Sequence, residues 1–145
     1  MSGSGFSNFE NESAGNFISD VITNGYGMIG IALDRIIDEQ DTLDIIACEE
    51  ALMAAEFVAA ALKSPATDFP ENAAEWVEMD LPEGSDEQKE IAELSDKAAE
   101  VIDIIVTDSE LKILWEETTF FDQWFQAQQD LQNRLLGPFD NSLEN

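Results

Sequence analysis

Between Ala51 and Leu62 the chain carries the sequence ALMAAEFVAAAL, in which six residues are alanine. Alanine has the highest helix propensity of all residues, so this stretch is predicted to be helical. Its small side chains would let a neighbouring helix approach closely. We expect the helix to begin near Asp41 or Thr42 and to end at Ser64-Pro65, because a residue that precedes proline disfavours the α conformation.

Helix signals continue on the N-terminal side of this stretch. Asn11 is the expected N-cap of a helix from Ser13 to Ile22. After the glycine-rich turn at residues 24–27, apolar residues at helical spacing predict a second helix from about Met28 to Glu39.

The C-terminal side carries three arrangements that resemble capping boxes, which mark helix starts. They predict a short helix that ends near Met79, a fifth helix that continues to Ile105, and a last helix from about Glu110 to Leu136. The three arrangements are Asp68-x-x-Glu71, Ser85-x-x-Gln88 and Thr107-x-x-Glu110.

The fold class that follows is all-α, because no stretch alternates apolar and polar residues as a half-buried strand would. We expect a single compact, irregular bundle of five or six helices over residues 1–145, a length typical of one domain. Residues 1–12 are predicted to form a glycine-rich N-terminal loop. Residues 137–145 are predicted to form a C-terminal tail after the stop signal Gly137-Pro138.

The last predicted helix is rich in aromatic residues. Its apolar stripe predicts a core-facing surface at helical spacing, formed by Leu114, Phe121, Trp124, Leu131 and Leu135. Trp115, Phe120 and Phe125 add to the aromatic content of the same region. One stripe cannot bury all of these rings, so the alternative is that some are exposed as a partner site.

The charge balance excludes several classes of function. The chain has 32 Asp and Glu residues but only six Lys and Arg, which gives a net charge of −26. So few cations cannot form the basic patch that binds nucleic-acid phosphates or an anionic membrane. The absence of histidine excludes His-based catalysis, a histidine zinc site and a Glu-x-x-His di-iron site. We expect no cofactor and no metal.

Cys48 is the single cysteine, which excludes disulfides within the chain. Glu49 and Glu50 are expected to raise the pKa of its thiol, so we interpret Cys48 as a small buried packing residue. Residues Met1–Asn8 have neither the positive charge nor the apolar run of a signal peptide. No apolar stretch is long enough to cross a membrane, and a cytoplasmic protein is expected.

The opening of the chain carries the motif Gly5-x-x-x-Phe9-Glu10-Asn11-Glu12-x-Ala14. This motif resembles the start of a known bacterial family, domain of unknown function 4259, whose members begin with W-G-x-x-x-F-[DE]-N-[DE]-x-A. Ser4 stands here in place of the tryptophan. The resemblance continues in the alanine-rich stretch and at Ser109-Glu110-Leu111-x-x-Leu114-Trp115-Glu116. It implies one small helical domain and implies no activity.

The acidic residues are the strongest indication of function. A folded protein of 16.0 kDa exposes roughly 7,400 Å², which gives one net charge per roughly 280 Å². Duplex DNA, treated as a cylinder, carries one charge per about 110 Å². Residues 64–88 contain eight acids and no cation. We therefore predict an acidic face that binds a partner, formed by Glu71, Glu75, Glu78, Asp80, Glu83, Glu93, Asp96 and Glu100.

The predicted partner is a basic protein that handles nucleic acid, because carboxylates could occupy the positions where phosphates would sit. A phage anti-defence protein and an immunity protein against a nuclease toxin both match this description. Three alternatives stay open. They are a Mg²⁺-dependent all-α nucleotide hydrolase that uses Glu93, Asp96, Glu100 and Asp103, an acidic housekeeping protein, and adaptation to high salt. The sequence does not indicate the oligomeric state.

Overall fold

The computed structural model describes residues 6–39 and 44–137, and these residues form eight α-helices without a strand. The all-α class is therefore confirmed, while the number of helices exceeds the expected five or six. The first five residues of the predicted loop and residues 138–145 of the predicted tail lie outside the described residues. The helices are α1 (Glu12–Asn24), α2 (Gly27–Asp38), α3 (Ile45–Ala61), α4 (Glu71–Asp80), α5 (Asp86–Ala92), α6 (Ser95–Thr107), α7 (Glu110–Glu116) and α8 (Phe121–Leu136).

The alanine-rich stretch lies in α3, which is the centre of the bundle. Every residue from Ala51 to Ala61 is buried, and each of the other seven helices contacts α3. Seven neighbours can approach one helix because alanine side chains take little space around its circumference. The larger residues Leu52, Met53 and Phe57 fill the volume that remains between the helices.

Two of the predicted N-caps are confirmed by their hydrogen bonds. Asn11 Oδ1 accepts a hydrogen bond from the backbone N–H of Ala14 at 2.7 Å. Ser85 Oγ accepts one from the backbone N–H of Gln88 at 3.0 Å. Each bond satisfies a backbone donor that has no partner within the first turn of its helix.

Two other predicted caps are wrong. Thr107 is the last residue of α6, and Ser109 caps α7 instead, because its Oγ accepts from the backbone N–H of Lys112 at 3.0 Å. Pro70 precedes α4 without a side-chain cap, so Asp68 does not begin that helix. Pro70 is the N-cap residue, with a φ angle of −60° and an extended ψ angle of 142°, so its ring, rather than a side-chain hydrogen bond, restricts the backbone where α4 begins.

The start of α3 also differs from the prediction. Asp41 and Thr42 lie outside the described residues. Within the described residues, Asp44 is the N-cap of α3, since its Oδ1 accepts from the backbone N–H of Ala47 at 2.7 Å.

Two helices that were predicted as continuous are each divided in two. The predicted fifth helix breaks at Leu94, where the backbone N–H donates to the carbonyl of Ile91 in a tighter turn. The break lets α5 pack on α3 while α6 packs on α2, α3 and α8. The predicted last helix breaks at residues 117–120. There the hydroxyl of Thr118 donates to the carbonyl of Trp115 at 2.8 Å, a side-chain bond that competes with helical pairing.

One cluster of buried apolar side chains includes residues from all eight helices. Trp124, Leu131 and Leu135 belong to it, as the apolar stripe predicts. Leu114 was assigned to the same stripe but is 42% exposed. The assignment is wrong because α7 and α8 are separate helices, so the helical spacing does not continue from Leu114 to Phe121, which is half-buried. In residues 6–39 and 44–137, no helix has both the length and the apolar content to cross a bilayer.

Trp124 provides a test of this core. Its ring stacks on Trp115 with centroids 6.3 Å apart, and its side chain is 1% exposed. We expect Trp124→Ala to lower the free energy of unfolding by about 3–5 kcal/mol, through lost burial and the cavity that is left. Urea denaturation followed by circular dichroism measures this loss.

The matched control is Phe120→Ala, since Phe120 is 37% exposed. We expect this variant to lose about 1 kcal/mol or less. If Trp124→Ala also lost only about 1 kcal/mol or less, with its helical spectrum intact, Trp124 would not be a core residue.

Candidate functional site

Three of the predicted acidic residues form a row on α4. Glu71, Glu75 and Glu78 are exposed, and the helix buries Ala73 and Trp76 on the opposite side. Their spacing of four and three residues places them on one face. Among the described residues, no lysine or arginine nitrogen lies within 4.0 Å of these three carboxylates. We call these three residues the α4 row.

Asp80 and Glu83 are exposed but differ from the α4 row in position and pairing. Asp80 follows Glu71 by nine residues, which places it about half a turn around the helix axis. Glu83 lies in the loop after α4 and pairs with Lys63 at 3.6 Å. Neither residue therefore extends the row of unpaired carboxylates.

The other three predicted residues lie around the start of α6. Glu93 is the C-cap residue of α5, and Asp96 and Glu100 lie on α6, all three exposed. Asp96 and Glu100 face away from the buried side of α6, which carries Ala98 and Val101. The helix α4 packs on α1 and α3, whereas α6 packs on α2, α3, α7 and α8. The eight predicted residues therefore fall into two groups, one on and after α4 and the other after α5 and on α6.

Many carboxylates of the described residues have no cation nearby because most of the few lysines and arginines are already paired with other acids. Five of the six lysines and arginines form ion pairs within the described residues: Arg35, Lys63, Lys97, Lys112 and Arg134. Arg35 alone lies within 4.0 Å of three carboxylates. Many exposed acids among the described residues are therefore left without a nearby positive charge, and the α4 row belongs to this group.

The carboxylates proposed for a magnesium site do not converge. Asp103 Oδ1 accepts a hydrogen bond from Gln132 Nε2 at 2.9 Å. In the part of the chain that the structure describes, no three His, Cys, Asp or Glu residues are placed to hold a metal ion. Glu93, Asp96 and Glu100 are thus exposed carboxylates after α5 and on α6 rather than a cage of oxygen ligands.

Cys48 is fully buried in α3, as the interpretation of a packing residue requires. Burial is the main cause that raises the pKa of its thiol to about 11, with the charges of Asp44 and Glu110 adding to it. Glu49 and Glu50 were the wrong cause, although the direction was right. At neutral pH the thiol stays protonated and is a poor nucleophile.

A second site, which the sequence did not indicate, lies where residues 6–11, which we call the opening segment, contact α3 and α8. Asn8 Nδ2 donates to Glu56 Oε2 at 2.9 Å and to Gln128 Oε1 at 3.0 Å. Gln128 Nε2 donates back to Asn8 Oδ1 at 2.9 Å. All three side chains are buried, so their hydrogen bonds fix the opening segment on the bundle.

Arg134 completes this buried network from α8. Its Nη1 donates to Glu56 Oε1 at 3.2 Å and to the backbone carbonyl of Ser64 at 3.1 Å. Its Nε donates to Asp130 Oδ2 at 2.8 Å. Burial raises the pKa of Glu56 above its ordinary value, although Arg134 and Asn8 act in the opposite direction. Burial also acts to lower the pKa of Arg134, but Glu56 and Asp130 outweigh it and keep the guanidinium charged.

A cavity of about 380 Å³ opens beside the network. Glu56 and Arg134 line it from the bundle, and Phe6 and Phe9 line it from the opening segment. Its volume lies within the range of about 300–1,000 Å³ that is usual for small-ligand sites.

None of Asn8, Glu56, Gln128 and Arg134 was singled out by the sequence. One signal was available, because Glu56 is the only charged residue in ALMAAEFVAAAL. A lone carboxylate in an apolar helix requires a partner once that helix is buried. Which residues supply the partner depends on packing between segments that are 48 and 78 residues apart in sequence.

Glu56→Ala tests the buried network. The substitution removes the buried acceptor of Asn8 and Arg134 and leaves Arg134 paired with the Asp130 carboxylate alone among the described residues, so we expect a loss of about 3 kcal/mol in unfolding free energy. Glu75→Ala is the matched control, because the same change at an exposed residue of the α4 row is expected to stay within about 0.5 kcal/mol. Equal effects of the two substitutions on urea denaturation would contradict the role of the network.

The dependence of stability on pH provides a second test. Burial raises the pKa values of Glu49, Glu50 and Glu56 above the ordinary 4.5. The folded state therefore binds protons more tightly than the unfolded state, and this contribution is lost as pH rises through the folded-state values. Repulsion within a net charge of −26 acts in the same direction.

We therefore expect a higher melting temperature near pH 5 than near pH 8, and a higher one in about 500 mM than in about 10 mM sodium chloride. Scanning fluorimetry at these four conditions is sufficient. A melting temperature that does not change with salt, or that rises from pH 5 to pH 8, would contradict an unpaired acidic surface.

Comparison with known proteins gives one finding. The family model described as domain of unknown function (DUF4259) matches residues 3–127. No curated protein and no solved structure matches the chain. The match includes the opening segment, α3 and the first part of α8, which means that Asn8 and Glu56 both lie within it. The chain belongs to the DUF4259 family.

Proposed function

We propose that this protein is a cytoplasmic, non-enzymatic binding protein whose carboxylates occupy the nucleic-acid-binding surface of a basic partner. The observation that carries the proposal is the α4 row, Glu71, Glu75 and Glu78. These three exposed side chains share one helix face and have no cation within 4.0 Å among the described residues. A partner's lysines and arginines would supply the missing positive charges.

The spacing of the row is of the same order as that of phosphates along a nucleic-acid strand. Glu71 and Glu78 are seven residues apart, which is about 10.5 Å of helix axis at 1.5 Å per residue, and Glu75 lies between them, so neighbouring charges are about 5 Å apart along the axis. One strand of duplex DNA has one charge per 3.4 Å. Glu93, Asp96 and Glu100 add a second group of exposed carboxylates at another position on the surface.

The unpaired charges also have a cost in the free protein. Each like-charged pair four residues apart destabilises a helix by about 0.2–0.5 kcal/mol. Solubility of a small domain needs a net charge of roughly 2–8, far less than the −26 of this chain. Binding to a basic surface would relieve this repulsion, and the long-range field would speed the encounter.

The biological settings that match this chemistry are phage anti-defence and immunity to a nuclease toxin. In both settings an acidic protein would block a basic enzyme by covering the surface that takes DNA or RNA. The alternative of an acidic housekeeping protein predicts a different result. Association of such a protein with any partner would not depend on one particular row of carboxylates.

The test compares two variants with the same change in total charge. Glu71, Glu75 and Glu78 are replaced by lysine in the first variant. In the second, lysine replaces Asp20, Asp38 and Glu117, which are exposed and scattered over three parts of the bundle. The partner is a basic protein captured at low salt from a lysate of the source organism. Association rates are then measured by surface plasmon resonance at about 50 and 300 mM sodium chloride.

We expect the first variant to associate at least about tenfold more slowly than the native protein at low salt, with a smaller salt dependence. The association rate of the second variant should fall much less, because this variant keeps the α4 row intact. Equal losses in both variants would show that only total charge matters. That result, or an unchanged rate in the first variant, would overturn the proposal.

A further inference from the structure

The cavity beside the buried network has a lining that selects for positive charge. Three carboxylates line it, those of Glu56, Asp68 and Asp130, together with the guanidinium of Arg134. The positive charge of Arg134 is already compensated by its bonds to Glu56 and Asp130. The lining is therefore negative overall, even when Glu56 holds a proton, and an anionic ligand would be repelled.

Two of these carboxylates keep an oxygen available for a ligand. Asp68 accepts a hydrogen bond at Oδ2 from the hydroxyl of Ser7, at 3.0 Å. Asp130 accepts at Oδ2 from Arg134. Within the described residues the Oδ1 atom of each has no donor, so each can accept one from a molecule in the cavity. Asp68 lies in the loop before α4 and Asp130 on α8, so these two acceptors are presented by different parts of the fold.

The apolar part of the lining indicates the kind of cation. Phe6 and Phe9 contribute aromatic rings, and Ala127 and Pro65 contribute small apolar surfaces. An alkyl stem would be shielded from water by these groups. A guanidinium packs well against aromatic rings, and its planar fork of five donors can reach two separate acceptors at once. An ammonium group, which is compact and strongly hydrated, would gain less from the same walls.

We propose that this cavity is a binding site for an alkyl guanidinium, the group at the end of an arginine side chain. The assignment of that arginine to the basic partner rests on the proposed function. Binding of the group itself does not, because it depends only on the cavity. In the complex, an arginine of the partner would insert between the opening segment and α8, while other cations of the partner face the α4 row.

The probe is the peptide acetyl-Gly-Arg-Gly-amide, compared with the same peptide in which neutral citrulline replaces arginine. Citrulline has nearly the same shape and lacks the charge. Binding is measured by NMR at about 150 mM sodium chloride, which weakens non-specific attraction to the acidic surface. The signals to follow are the backbone amides of Ala66, Asp68, Ala127 and Asp130. We expect saturable shifts at these residues, with a Kd on the order of 1 mM for so small a ligand.

Two variants locate the binding. The double variant Asp68→Asn with Asp130→Asn removes two negative charges from the cavity. We expect it to raise the Kd of the arginine peptide by at least about tenfold. Asp38→Asn with Asp108→Asn removes the same charge from exposed residues outside the cavity and should leave the affinity within about twofold. Ala127→Leu is a further variant that narrows the cavity without changing charge, and it should also abolish the shifts.

Three results would overturn the proposal: equal binding of the citrulline peptide, equal weakening in both double variants, or shifts spread over the whole surface. Failure here is distinguishable from failure of the proposed function. The peptide test uses no partner, and the partner test uses variants on α4 that leave the cavity lining unchanged. Saturable binding of the arginine peptide that the cavity variants weaken supports the site. It does so even if substitutions in the α4 row leave the association rate with the captured partner unchanged.

Discussion

The burial of α3 is the constraint on which the rest of the structure depends. All seven other helices contact it, which is possible because the stretch from Ala51 to Ala61 is mostly alanine. Because this part of α3 is buried on every side, it leaves no polar face for a charged residue. Glu56 is nevertheless there, so the fold must bring donors to it. Asn8 and Arg134 supply them, and this requirement fixes the opening segment and the end of α8 against the same part of the core.

The same pairing shapes the surface. The chain has only six cations, and one of the two arginines is used inside the network. Most of the others are held in pairs on α2, α6 and α7 or beside the loop after α4. The α4 row is left without compensation as a result. The buried network, the cation-poor surface and the negative cavity beside the opening segment are thus connected, and the proposed basic partner rests on the surface and the cavity.

Much of the fold could be predicted from local sequence, because caps and helix propensity act over a few residues. Asn11 and Ser85 were assigned correctly as caps, and Trp124 as a core residue. The breaks at Leu94 and Thr118 were missed. Helical periodicity alone does not reveal a side-chain hydrogen bond to the backbone or a change of packing partner. Of the two candidate sites, the acidic residues were accessible from composition and spacing. The buried network was not, because it joins residues that meet only after folding.

The most direct test of the central claim is whether the captured partner can hold nucleic acid and this protein at the same time. The partner is saturated with a fluorescently labelled duplex and titrated with the protein, and the species are separated by size-exclusion chromatography. If the carboxylates occupy the phosphate-binding surface, the duplex should be released in proportion to the protein bound, and no complex should contain all three molecules. A stable ternary complex, with the duplex retained at saturating protein, would contradict the claim.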